Sequence, residues 1–183
     1  MRDIVDRVIE INKDVSQKQQ IKGVFFDVEP YLLDEWNNKS RKSIMENLLK
    51  NMEVIYKEAH ENNLEVIMCI PYFYDNFGLL DYVETLIKSN CDKVAIMNYY
   101  RGKEYENIKA EAILAGKYNK EIINIYELQA PGKHDLTDKN TYHEEGIDEV
   151  EKNFQQLKEK LSNQRVSIAF HECKALKEVM EDE

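Results

Sequence analysis

The stretch IKGVFFDVEPYLLDEW, residues 21–36, is an apolar run that ends in two acidic side chains and a proline. The run Ile21–Val28 is strand-sized and shows no in-and-out alternation, which is how a parallel strand covered on both faces reads. The same signature returns at Leu64–Ile70, Lys93–Asn98, Glu121–Tyr126 and Val166–Phe170. Longer segments of helical period lie between. In Ser43–His60 the stripe is Ile44, Leu48, Met52, Ile55 and Ala59; in Gly146–Ser162 it is Ile147, Val150, Phe154, Leu157 and Leu161. Each stripe fits one buried helix face. Shorter helices are predicted at Gly78–Lys88 and Glu106–Lys117, an opening helix carries Ile4, Val8, Ile11 and Val15, and KALKEVMEDE reads as the last helix.

The predicted order is a helix followed by five strand–helix units, in one domain spanning residues 1–183. Such alternation gives an α/β fold with a parallel sheet, either doubly wound or a (β/α)8 barrel. No glycine-rich phosphate loop follows any strand, so the dinucleotide-binding form lacks its signature. Polar residues instead close the strands: Asp27 and Glu29, Tyr72, Asn98 and Tyr99, Glu127, His171 and Glu172. A barrel enzyme builds its site from those positions. Eight units usually need about 250 residues, so the chain is read as a partial TIM barrel, with the last five strands present and the first three absent.

Composition narrows the functions. The chain has 183 residues, 35 acidic against 25 basic, for a formal charge of −10, with no basic stripe. Such a surface repels phosphate backbones, so nucleic acid is not an expected partner. The apolar runs are too short to span a membrane. The N-terminus is charged and amphipathic, unlike a signal peptide, so the expected location is cytoplasmic, or exported if a further segment precedes Met1. Cys69, Cys91 and Cys173 form no CxxC pair and are read as buried structural thiols. A five-strand sheet leaves its first and last strands open, where a second copy would add to give a homo-oligomer.

On a strand, Phe25, Asp27 and Glu29 share a face, with roughly 6–7 Å between successive backbones. Crowded carboxylates separate their proton affinities, and one then keeps a proton near neutrality, as a general acid requires. An ordinary solvated strand end, or a helix cap at Asp27, is the plainer alternative.

The run GVFFDVEP resembles the fourth strand of glycoside hydrolase family 18, the chitinase-type barrels, whose motif ends Asp-x-Glu. That resemblance implies Glu29 as the acid that protonates the glycosidic oxygen and Asp27 as the group that orients the substrate's N-acetyl nucleophile. IMNYY is similar to the family's sixth-strand motif through Met97 and Tyr99, and implies Tyr99 as the residue steadying the acetamido carbonyl. The chain departs from the family at Phe25, Lys22 and Tyr100, where that pattern has aspartates, and places His171 near its last-strand tryptophan. With TYHEEG and IAFHE, the chain looks closer to uncharacterised bacterial barrel proteins related to these hydrolases. A carbohydrate is the implied ligand, and no cofactor is expected.

Other strand-end residues remain open between two readings. Glu127 binds a sugar hydroxyl or a metal, or is a solvated carboxylate. His171 is a site residue or a structural one. Trp36 and Tyr72, with Phe73 and Tyr74, stack on a sugar or cap the rim. His134 and His143 lie in a long loop over the mouth, and Thr141 with Glu144 resembles a capping box. The alternatives to a glycosidase are a non-catalytic carbohydrate- or peptide-binding remnant, and a metal-dependent hydrolase using Glu29, Glu127 and His171.

Overall fold

The computed structural model describes residues 1–181. Its elements are α1 (Arg2–Lys13), β1 (Gly23–Asp27), α2 (Arg41–Glu61), β2 (Glu65–Pro71), α3 (Leu80–Ser89), β3 (Lys93–Met97), α4 (Glu104–Lys117), β4 (Glu121–Glu127), α5 (Gly146–Lys160), β5 (Arg165–His171) and α6 (Cys173–Glu181), with short 3₁₀ turns at Pro30–Leu32 and Asp75–Phe77. The strands form one parallel sheet in the order β1-β2-β3-β4-β5. The fold is α/β, a five-stranded parallel sheet alternating with helices, consistent with a partial TIM-barrel-like fold.

The strand order never reverses. In a doubly wound sheet the reversal sends later helices to the opposite face; without one, every crossover helix packs on the same side. The residue parity agrees. Even-numbered side chains, among them Phe26, Met68, Ile70, Ile96, Ile122 and Tyr126, join the large core with the helices. Odd-numbered Cys69, Ala95, Met97, Ile123 and Ile125 form a separate small cluster on the other face. The register carries that parity from strand to strand, pairing Asp27 with Cys69, Cys69 with Ala95, and Ile125 with Ala169. Ile96, fully buried between β3 and the helices, is a sensitive reporter of this core. Ile96→Ala is expected to cost about 2–5 kcal/mol, read as a lower urea midpoint with an unchanged slope.

Sequence detail explains the close fit of the first pair. A Cβ at Gly23 would sit 2.6 Å from the Glu65 carbonyl oxygen, so only glycine lets β1 begin its ladder at that position. At the rim opposite the strand C-termini, Lys93 ties three strands together, 3.2 Å from Glu65 and 3.4 Å from Glu121.

Several expectations are corrected. Thr141 and Glu144 make no capping box: α5 begins at Gly146, and Thr141 Oγ1 instead donates to the Glu127 carbonyl at 3.2 Å while accepting the His143 N–H at 3.1 Å. That pins the loop to the end of β4. Cys173 is exposed at the start of α6, unlike Cys69 and Cys91. The strand β5 is only half-covered along its length, because it stands at the sheet edge under the nine-residue α6. Glu104 and Glu111 of α4 are buried, against the usual exposure of charged side chains. Glu104 accepts the Tyr142 hydroxyl and the Gly102 N–H. Both carboxylate oxygens of Glu111 are buried without a partner.

Candidate active site

At the C-terminal ends of the strands, on the odd-numbered face, lies a cleft of about 490 Å³. Asp27 and Glu29 from β1 and its following turn, Tyr99 after β3, Glu127 and Gln129 at the end of β4, and His171 ending β5 all line it. Leu32, Met97, Leu136 and the exposed His134 complete the wall. Four inter-strand steps would put β1 and β5 about 19 Å apart in a flat sheet. Yet Asp27 and His171 share this cleft and influence each other's charge. The sheet is therefore curled as a barrel wall is, and its two ends face each other across the mouth.

Five of the strand-end positions hold their groups in defined ways. Tyr31, which reading by strand ends passed over, donates its hydroxyl to Glu29 Oε1 and packs edge-on against Phe73, 5.2 Å between ring centres. Burial, then the neighbouring Glu29 charge, pushes the Asp27 carboxyl above its ordinary range, against the Cys69 thiol and the His171 charge. Burial, then Glu127, pushes the Tyr99 hydroxyl up, so it remains a neutral donor. Glu127 is 2% exposed, and three donors converge on it. Its Oε1 accepts the Leu128 and Gln129 backbone N–H groups at 3.0 and 2.8 Å, and its Oε2 lies 2.9 Å from His171 Nδ1. With a carboxylate as acceptor, the imidazole proton on that side belongs to Nδ1. The Gln129 amide nitrogen, itself only a donor, stands 3.1 Å from the same Nδ1 and makes no hydrogen bond to a ring nitrogen that already donates to Glu127. The Tyr99 ring tilts against the imidazole with centres 5.9 Å apart. The hydrogen bond to Glu127, opposed by burial, raises the His171 pKa above its ordinary value.

The remaining candidates lie outside this cleft. Asn98 follows β3 with even parity and so turns to the helix side, where its Nδ2 donates to Asn124 at 2.8 Å and to the Glu104 carbonyl at 3.0 Å. Trp36 is half-buried and packs on the fully buried Tyr74, with ring centres 5.9 Å apart. Tyr72 leans edge-on against Phe73. His143 Nδ1 lies 3.0 Å from the Leu128 carbonyl, to which it donates. Among the described residues, no group of three or more His, Cys, Asp or Glu side chains is arranged to hold a metal ion. No helix among them is long and apolar enough to cross a membrane.

The arrangement offers acid–base chemistry: paired carboxyls on one wall, a carboxylate-bound imidazole on the other, and a phenol donor between them. Comparison with known proteins finds no matching family model, no matching curated protein and no matching solved structure. The functional reading therefore rests on this cleft and its residues.

Proposed function

We propose that the cleft cleaves a glycosidic bond, with Glu29 as the general acid and Asp27 and Tyr99 positioning the carbohydrate. The observation that carries this reading is the convergence of Asp27, Glu29 and Tyr99 on one mouth at the strand ends, the three positions that the likeness to family 18 singles out. Glu29 has one oxygen held by Tyr31, which leaves Oε2 to deliver a proton to the leaving oxygen. Asp27, its carboxyl pushed up by burial and the Glu29 charge, and the Tyr99 phenol both meet sugar oxygens, Tyr99 as a hydrogen-bond donor. The cleft carries no Lys or Arg among its lining residues, which suits a neutral sugar better than a phosphorylated one.

Glu29→Gln removes the acid proton and keeps the shape. Turnover of 4-nitrophenyl glycosides is expected to fall about 10²–10⁴-fold, with the thermal melt unmoved. Undiminished turnover in that variant sinks the assignment. Saturable oligosaccharide binding by a parent chain that releases no product favours the binding-only remnant instead.

A further inference from the structure

Glu127 and His171 are more elaborately held than sugar binding requires. Two backbone amides anchor one oxygen of a carboxylate that is 2% exposed, and the other oxygen grips His171 Nδ1 at 2.9 Å. The imidazole itself is half open to the cleft, its side chain 47% exposed. With Nδ1 committed to Glu127, Nε2 is the ring nitrogen left to face a ligand, and in this tautomer it is the proton acceptor. A carboxylate that fixes the tautomer and stabilises the imidazolium that forms is the arrangement by which proteins make a histidine into a base. The charged and titratable groups around it are Glu127 from β4, Asp27 and Glu29 from β1 and its turn, Tyr99 from β3, Glu172 beside it in sequence, and His134 from the loop.

We infer that the His171–Glu127 pair is the water-activating base of this cleft, set opposite Glu29, so that water attacks the sugar directly and no 2-acetamido group is needed on the substrate. This deepens the reading of Glu29 as the acid and rests on it. In the step, a water O–H bond breaks and its proton passes to His171 Nε2. The water oxygen bonds to the anomeric carbon. The bond from that carbon to the leaving oxygen breaks, its electron pair going to that oxygen, which takes the Glu29 proton. Glu29 ends as a carboxylate and His171 as an imidazolium against Glu127, and solvent returns the proton from one to the other. Acid and base drawn from opposite walls, with room for water between them, give inversion at the anomeric centre.

The test combines a spectroscopic arm and a kinetic arm on the full chain. In ¹⁵N-edited NMR, His171 is expected to carry its neutral-state proton on Nδ1 and to titrate above the ordinary histidine value, with Glu127→Gln lowering that midpoint. A proton on Nε2, or a midpoint indifferent to Glu127→Gln, overturns the proposal with no activity needed. In the kinetic arm the probes are 4-nitrophenyl β-D-glucoside and its 2-acetamido counterpart. Both are expected to be cleaved at rates within about tenfold, with inverted product. His171→Gln is expected to lower kcat about 10²–10⁴-fold on both with KM little changed, and to erase the rise of kcat/KM with pH that follows loss of the His171 proton. Cleavage of the acetamido probe alone, or full turnover by His171→Gln while Glu29→Gln is dead, overturns the base and leaves the acid standing. A parent chain that cleaves neither probe, or full turnover by Glu29→Gln, removes the acid and this proposal with it.

Discussion

Replacing Glu127 by alanine is expected to cost about 2 kcal/mol of folding stability and to bring the His171 titration down to the ordinary histidine range. The two effects have one origin. Glu127 is buried at the end of β4, and its carboxylate is the acceptor for two backbone N–H groups and one imidazole. A buried donor left without its acceptor costs about 1–3 kcal/mol, and alanine strands the Gln129 N–H, while the Leu128 N–H keeps the His171 carbonyl at 2.7 Å. The loss of the imidazole partner removes the largest cause of the raised His171 pKa. Urea denaturation gives the first quantity and an NMR titration the second. Glu127→Gln separates them. Its amide oxygen still accepts the two N–H groups, so most of the stability returns. Its amide nitrogen, however, can only donate to His171, which drives the ring to the opposite tautomer. A Glu127→Ala chain as stable as the parent would mean that solvent satisfies the Gln129 amide and that Glu127 is no anchor.

The second large effect concerns Glu111, on the buried side of α4. Burial, opposed by its own backbone N–H and slightly worsened by the Asp75 charge, raises its carboxyl from 4.5 to about 7. The folded chain therefore holds this proton at pH values where the unfolded chain has released it. Stability from this group is fully present below pH 4.5, falls as pH rises, and is gone above about 7. A displacement of that size corresponds to roughly 3 kcal/mol. Glu111→Met keeps the volume and removes the titration. Its gain over the parent is expected to be about 3 kcal/mol at pH 8 and to shrink as pH approaches 4.5. Paired urea curves at pH 4.5, 6 and 8 check this, and a gain that does not vary with pH contradicts it.

Much of the architecture was legible because the chain changes period cleanly. The apolar runs coincide with β1 to β5 within about two residues at each end, and the stripes with α2 and α5. The same strand periodicity also contains information that strand ends alone do not use. Tyr99 is odd-numbered and faces the cleft, whereas Asn98 is even-numbered and turns to the helices. Within the quoted stretch, Tyr31 follows Glu29 by two residues and meets it, although a 3₁₀ turn rather than a strand brings them together. Trp36 was ambiguous because an aromatic side chain beyond a strand packs downward or stacks outward at similar gain, and here Tyr74 supplies the surface. The Glu127–His171 pair was out of reach for another reason. Forty-four residues separate its members, and only the β4–β5 register, which puts the two opposite each other, brings them together.

Every strand pairs solely with its predecessor and successor in the chain, and this bears on how the molecule comes to be folded. No strand must wait for a distant partner to be inserted between two others. Each new strand–helix unit adds to a surface already made, so the sheet can grow in the order of synthesis. Local pairing of this kind lowers contact order and with it the loop entropy that must be lost before contacts form. The cleft, by contrast, matures last: Asp27 emerges early and His171 near the end, so the chemistry is assembled only when the fifth strand has docked.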